Sequence, residues 1–436
     1  ASANLTGVFY QCTCGAKRSM AGATRKGTLE KMGYRCKATK PWLSISGEEV
    51  CTAKTEDVKV VLRGATNVWF ADTRSSISIP VDDISTRRKI IGILNEWFDT
   101  LNASRTNGQF DRNYINMFAV KNGVNADELY QAFVDRANNM MSNEDVNENT
   151  SEDEYRLQEY KVLCKTSGSD AMDFHSINYP IAEYNPIIHK YFKSISLVPK
   201  LRETRAFVGF SRLEPNEKTV SERKKELRLG SKEDWLPAVE VYGEGIFFQF
   251  DGKNLEKWAQ QESVKKRIDT LNASYHRSKF GKKTLGDLRP EFVLIHTFAH
   301  LVINQLSFDC GYGSSSIRER IYCEKTTNSL GMYGLLIYTA SGDSEGSLGG
   351  LVRQGEMGRL EDTIINAIEN ATWCTSDPIC IQSSGQGPES LNLAACHNCA
   401  LLPETSCENG NRLLDRGAVV GTLQDTDIGF FREIRN

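Results

Sequence analysis

Five cysteines crowd the last part of this sequence and limit how it can fold. They lie in the stretches WCTSDPIC and AACHNCALLPETSC and are Cys374, Cys380, Cys396, Cys399 and Cys407. Cys396 and Cys399 form a C-x-x-C knuckle, which puts two thiolates on one tight turn, and a flanking loop can bring two more. This pattern is typical of a tetrahedral thiolate site, so we predict a structural zinc ion in this segment.

Composition then bounds the class of protein. The chain has 436 residues, 40% hydrophobic and 25% charged, with a net charge of −3, which indicates a soluble protein of two or three domains. The net charge excludes a protein whose whole surface is basic and coats nucleic acid, but it does not exclude a local basic groove. No apolar run is long enough to cross a bilayer, and the start, ASANLTGVFYQC, does not read as a signal peptide. We therefore expect a cytoplasmic protein with no membrane partner, whose cysteines are thiols or metal ligands.

A second cysteine cluster lies at the start of the chain. It consists of Cys12, Cys14, Cys36 and Cys51. Cys12 and Cys14 form a C-x-C-G turn, and Gly15 suits it because glycine accepts positive φ. Residues 1–80 therefore predict a zinc-ribbon-like module with a second structural zinc; four unrelated buried thiols are the alternative.

The middle region, residues 81–289, predicts a helical and mixed α/β part. STRRKIIGILNEWFDTLN and NADELYQAFVDRANNMM have helical periodicity, and 142–156 reads as an acidic exposed loop. WLPAVEVYGEGIFFQF predicts two strands joined at Gly243–Gly245, and 253–279 predicts one long amphipathic helix. Cations that could contact DNA phosphates are Lys265, Lys266, Arg267, Arg277, Lys279, Lys282 and Lys283. A solvated helix face is the simpler interpretation of these charges.

Residues 290–436 predict a C-terminal α/β domain. PEFVLIHTFAHLVINQLSF predicts a buried helix, and MYGLLIYTA a buried strand that leads into a Gly-rich loop at 341–350. No Walker A motif occurs, so no P-loop ATPase is expected. His296 and His300 share a helix face and suit a metal if a third ligand is present. The general-base Glu of H-E-x-x-H is absent, so hydrogen-bonded buried histidines are favoured.

Several blocks carry a family resemblance. HTFAHLVINQLSFDCGYGSSSIRERIY, GLLIYTASGDSEGSLGGLVRQGE and the CHNC knuckle resemble the MrfA-like zinc-binding domain. LRGATNVWFADTRSSISIP, RETRAFVGFSRLEP and SLNLAACHNCALLPETSCENGNRLLDRG are similar to the DrmB family of the bacterial DISARM antiphage system. In that family's pattern a further N-terminal region precedes the C-x-C-G module, so we expect that region to be deleted, disordered or on another chain.

The resemblance implies a multidomain, mixed α/β, zinc-stabilised accessory subunit. It would pair with a superfamily 2 helicase, the DrmA-like partner, and bind invading DNA through the complex, with the motor in the partner. The family ligand positions fall on Cys380, Cys396, Cys399 and Cys407, with Cys374 as a rival to Cys380. No catalytic residue is implied. The alternatives are a metal-dependent nuclease that uses Asp343 and Glu345 of the 341–350 loop, and a purely architectural zinc protein.

Overall fold

A computed structural model gives the architecture of the chain. It describes residues 8–20, 22, 28–31, 33, 69–80, 82–106, 109–141, 150–165, 168–212, 235–278, 287–323, 331–339 and 349–435. The helices are α1 (Thr28–Lys31), α2 (Asp82–Ala103), α3 (Arg112–Asn122), α4 (Ala126–Met141), α5 (Thr150–Leu163), α6 (Gly252–Ala259), α7 (Glu262–Arg277), α8 (Pro290–Cys310), α9 (Gly350–Gln354), α10 (Leu360–Asn370) and α11 (Arg416–Val420). The strands are β1 (Phe9–Gln11), β2 (Lys17–Ser19), β3 (Trp69–Ile77), β4 (Arg105–Thr106), β5 (Gln109–Phe110), β6 (Ser169–Ala171), β7 (Phe174–Pro180), β8 (Phe192–Arg212), β9 (Ala238–Phe250), β10 (Ile317–Tyr322) and β11 (Gly334–Thr339). The predicted mixed α/β class is therefore confirmed.

The chain divides into two compact units. One unit comprises Ala1–Ser76 and Thr204–Val239, and the other comprises Ile77–Glu203 and Glu240–Asn436. The second unit thus takes in residues from both the predicted middle region and the predicted C-terminal domain. The division at 80 and 289 stays a prediction. None of the described helices combines the length and the apolar character needed to span a membrane.

The main sheet has the strand order β10-β11-β9-β8-β7-β6, with β3 paired to β8. Neighbours β10 and β11, β11 and β9, and β7 and β8 run antiparallel. Its central strands are apolar on both faces because both faces are covered. Phe248 and Ile337 face the larger core, which contains α8, whereas Phe247 and Leu336 face a smaller core that includes residues from α5. Neighbours in sequence thus enter opposite cores, as the period of two in a strand requires.

The helices predicted between 81 and 150 form their own cluster. α2, α3 and α4 pack around Phe98, Leu101, Ile115 and Phe133, which are all buried. The Asp111 carboxylate caps α3 by accepting hydrogen bonds from the Asn113 and Tyr114 amides at 3.0 and 3.2 Å. The helical periodicity of these two segments therefore predicted α2 and α4 correctly. Residues 142–149 of the predicted acidic loop 142–156 lie outside the described part. The rest of that segment is not a loop, because it forms the first turns of α5.

Two sequence predictions for β9 and for the helices that follow it were wrong. The segment around Gly245 does not turn: β9 runs straight through it to Phe250. A Cβ on Gly245 would lie 2.9 Å from the Ile337 carbonyl oxygen of β11, so glycine permits close strand approach here, not a turn. The preceding Glu244 is buried and accepts hydrogen bonds from the Gly349 and Leu351 amides at the start of α9.

The predicted long helix over 253–279 is two helices. α6 ends at Ala259, and Gln261 adopts an extended conformation with ψ 137° before α7 begins. The Asp251 carboxylate caps α6 by accepting a hydrogen bond from the Asn254 amide at 2.8 Å. α8 is a single buried helix, as predicted, with Pro290 in its first turn and left-handed Gly311 after its last.

Candidate metal centre

Four cysteine sulfurs converge between α10 and α11. Cys374 follows α10, Cys380 lies in the next loop, and Cys396 and Cys399 stand on the knuckle. The knuckle turn is closed by hydrogen bonds from the Cys399 and Ala400 amides to the Cys396 carbonyl oxygen, at 3.1 and 3.0 Å. Cys374 and Cys380 are buried, and the other two are partly exposed.

The sulfur positions match those of a tetrathiolate site. The Sγ atoms of Cys374 and Cys396 lie 3.6 Å apart, those of Cys396 and Cys399 3.7 Å, and those of Cys380 and Cys399 3.8 Å. A tetrahedron with metal–sulfur bonds of about 2.3 Å has sulfur–sulfur edges of about 3.8 Å. The four residues therefore fit zinc, and four thiolates would close its coordination sphere.

Hydrogen bonds around the sulfurs favour negative charge on them. The Ser376 amide donates to Cys374 Sγ at 3.4 Å, and the Cys396 amide donates to Cys399 Sγ at 3.3 Å. The Cys399 thiol also donates a hydrogen bond to Cys380, which lowers the pKa of Cys380 to about 5 and raises the pKa of Cys399. Metal-binding cysteines must be deprotonated, and the two amide donors favour that state.

An ion pair between Arg416 and Asp377 lies beside the four cysteines. Arg416 is fully buried, and its Nη2 donates to the two carboxylate oxygens of Asp377 at 2.7 and 2.9 Å. Asp377 in turn accepts hydrogen bonds from the amides of Cys374 and Ile381, at 2.9 and 3.0 Å. The Arg416 charge also helps to lower the pKa of Cys380, after the Cys399 hydrogen bond. Asp377 thus orients the first cysteine loop, and Arg416 offsets negative charge beside it.

The sequence-predicted ligands are only partly brought together. Cys380, Cys396 and Cys399 meet as predicted, but Cys374 joins them as the fourth group and is not a rival to Cys380. The placement of Cys407 in this set was wrong. The chain beyond the knuckle turns towards α8 and β10, where Cys407 Sγ lies 3.2 Å from His296 Nε2.

The N-terminal cluster is described only in part. Cys12 and Cys14 are joined by a disulfide, and sulfurs in a disulfide cannot act as thiolate ligands. The left-handed conformation of Gly15 allows the turn that brings them together. Cys36 and Cys51 lie outside the described residues. A zinc ion here stays a prediction that requires reduced Cys12 and Cys14.

The predicted DNA-contacting cations divide into two kinds. Lys265, Lys266 and Arg277 are exposed on α7. Arg267 instead makes a bidentate ion pair with buried Asp415, at 2.6 and 2.7 Å, and its contact with DNA stays a prediction. Its guanidinium therefore lies on the side of α7 that faces Asp415. Lys279, Lys282 and Lys283 lie outside the described residues.

Two further sets of predicted residues have different outcomes. The loop carboxylates Asp343 and Glu345 lie outside the described part of the chain. His296 and His300 are fully buried on α8, as expected. Sequence reasoning missed Glu319 of β10, which is buried beside both histidines. Its segment, IRERIY, resembles an alternating surface strand, and only the burial of both faces of the sheet reveals otherwise.

Comparisons with known proteins agree with this arrangement. A family model described as the MrfA Zn-binding domain matches residues 298–400, which include the four clustered cysteines but not Cys407. A domain of unknown function, DUF8724, matches residues 1–70. The chain is 33% identical over 449 residues to the DISARM protein DrmB of Bacillus paralicheniformis, an alignment that covers 99% of this chain and 75% of that protein.

Proposed function

Because this chain belongs to the DrmB family of DISARM proteins, we propose that it is a non-motor accessory subunit of a bacterial antiphage complex. The observation that carries the proposal is the similarity along nearly the whole chain, not within a single domain. The sequence contains no phosphate-binding loop. ATP hydrolysis therefore falls to a partner, a superfamily 2 helicase.

In this proposal the first metal centre is structural. Cys374, Cys380, Cys396 and Cys399 hold one zinc ion, since their spacing fits a closed tetrahedron. No position is left for a water molecule, so the site does not support hydrolysis. The zinc ties the two loops between α10 and α11 together. Elemental analysis of the purified chain tests this: Cys399→Ser should lose one zinc ion per chain relative to wild type.

DNA contact is assigned to the exposed side of α7. Val264, Ile268 and Leu271 anchor the helix in the core, which leaves Lys265 and Lys266 in solvent. Such cations contact phosphates, so the proposed binding is independent of sequence and weakens with salt. Asp269 is exposed on the same helix, so the contribution of the lysines must be measured directly.

The decisive experiment measures complex assembly and DNA affinity together. The chain is copurified with its helicase, and the complex is titrated with DNA of unrelated sequences at several salt concentrations. Lys265→Glu with Lys266→Glu should leave the complex intact, weaken binding to all sequences alike and flatten the salt dependence. Lys253→Glu with Lys257→Glu, two exposed lysines of neighbouring α6, is the matched control.

Other outcomes would replace parts of the proposal. Unchanged DNA affinity in an intact complex would remove α7 as the DNA site, and dissociation of the complex would make α7 a helicase-docking surface. Failure to copurify with any helicase would overturn the accessory role. Mg²⁺-dependent DNA cleavage by the isolated chain, abolished by Asp343→Asn, would favour a nuclease.

A further inference from the structure

A second cluster of possible metal ligands lies in the core, apart from the four cysteines. His296 and His300 stand one turn apart on α8, Glu319 lies on β10, and Cys407 follows the knuckle. All four side chains are buried, and the two histidines are completely inaccessible to solvent. One ligand atom from each lies within 4.8 Å of those of the other three.

The spacing of the ligand atoms fits a single small ion. His296 Nε2 lies 3.2 Å from Cys407 Sγ and 3.2 Å from Glu319 Oε1, and His300 Nε2 lies 3.6 Å from Glu319 Oε2. Tetrahedral zinc with nitrogen, oxygen and sulfur ligands has ligand–ligand edges of about 3.4–3.6 Å. The three separations are close to those edges.

Without an ion the cluster contains unsatisfied polar atoms. Within the described part of the chain, His300 Nε2 and Glu319 Oε2 are buried and have no hydrogen-bond partner, and the same holds for His296 Nδ1. Buried polar groups that lack partners are costly and need an explanation. An ion between Nε2 of His300 and the Glu319 carboxylate would satisfy both of these atoms.

The surroundings hold the ligands as a metal site would. His300 Nδ1 lies 2.7 Å from the Ala400 carbonyl oxygen. As the donor there, Nδ1 carries the proton and leaves the Nε2 lone pair directed at the cluster. Cys407 Sγ accepts hydrogen bonds from the amides of Asn409 and Asn411, both at 3.3 Å. These donors stabilise a thiolate.

We propose that His296, His300, Glu319 and Cys407 bind a second zinc ion. Two imidazoles, one thiolate and one carboxylate form a ligand set that suits zinc and does not suit Mg²⁺ or Ca²⁺. A dication with one thiolate and one carboxylate is electrically neutral, which removes the cost of burying net charge. The ion shares no ligand with the four-cysteine site and fastens α8, β10 and the 403–412 loop together.

Zinc content per chain tests the proposal with matched cysteine variants. The full chain is purified from zinc-supplemented cells, and its zinc is measured by mass spectrometry. Cys407→Ser should lose one zinc per chain relative to wild type. Cys310→Ser, a cysteine at the end of the same helix, should lose none. Unchanged zinc in Cys407→Ser would overturn the proposal.

X-ray absorption of the wild-type protein gives a readout that needs no variant to fold. Zinc held only by cysteine shows sulfur alone in its first shell. The proposed second ion adds a nitrogen and oxygen shell with imidazole scattering, and Cys399→Ser should increase the weight of that shell. A sulfur-only first shell in wild-type protein would refute the second site, even if the four-cysteine site is fully occupied.

Discussion

Arg416 lies behind the four-cysteine site and should control how tightly that site holds zinc. Replacing it by methionine keeps most of the side-chain volume but removes the hydrogen bonds from Nη2 to both carboxylate oxygens of Asp377. The Asp377 carboxylate, which orients the Cys374 amide, would then lie unpaired beside four thiolates. A tetrathiolate zinc centre carries two negative charges. Loss of the Arg416 guanidinium, which pairs with Asp377, therefore increases the repulsion between the Asp377 carboxylate and the thiolates.

The magnitude follows from the kind of contact removed. Loss of a group that supports metal ligands weakens metal binding by about 10–100-fold, or about 1.4–2.7 kcal/mol. Because Arg416 is fully buried and its Nη2 donates to both carboxylate oxygens of Asp377, we expect the upper part of that range for Arg416→Met. Competition with a chromophoric zinc chelator gives the affinity, and circular dichroism checks the fold.

Arg432→Met is the control for this measurement. Arg432 is a partly exposed arginine that pairs with the exposed Asp427 at 3.3 Å. The Arg432→Met variant should have the same zinc affinity as the wild-type protein. If folded Arg416→Met protein retains wild-type zinc affinity, the guanidinium does not support the site and the electrostatic reasoning is refuted.

Three other predictions concern the second compact unit. Glu159→Gln should lower the free energy of unfolding in urea by about 3 kcal/mol, because it removes the buried carboxylate that accepts two hydrogen bonds from Arg320 at 2.7 and 2.9 Å, and the other carboxylate beside Arg320, that of Glu408, lies farther away at 3.6 Å; a change within error would contradict this. Gly417→Ala should lower thermal stability, since its Cβ would lie 2.6 Å from Arg267 Nη2 and would push the guanidinium off its ion pair with Asp415; an unchanged melting temperature would contradict this. Burial raises the pKa of Cys164 from 9.0 to about 12, so the protonated thiol favours folding below pH 9 and this stabilisation is lost as the pH rises towards 12; iodoacetamide should label it slowly at pH 9 until urea unfolds the chain, and equal rates would disprove the shift.

Local patterns in the sequence predicted local structure well. α8 was predictable because it is apolar on every side, and β11 because its apolar run is short and bounded. The knuckle was predictable because two thiolates on one turn require only the C-x-x-C spacing. In each case the determining interactions lie within a segment no longer than α8, which has 21 residues.

Contacts between distant segments could not be predicted in the same way. Cys374 and Cys407 are both plausible by spacing, and only the path of the loop beyond the knuckle decides between them. Gly245 has the same sequence appearance in a turn and beneath a neighbouring strand. Glu319 lies on a strand with alternating charges, and its burial depends on α8, which packs against one face of the sheet.

The path of the chain around Cys407 also protects one edge of the main sheet from self-association. β10 is the last strand on its side, and the unpaired edge of such a strand is a template for aggregation. Here the Glu319 amide donates to the Ser406 carbonyl oxygen at 3.1 Å, and the Ile321 amide donates to the Glu408 carboxylate at 3.2 Å. Arg156 donates to the Ile321 carbonyl oxygen at 3.0 Å. The interactions that hold the 406–408 segment in place therefore also prevent a strand of another molecule from pairing with that edge.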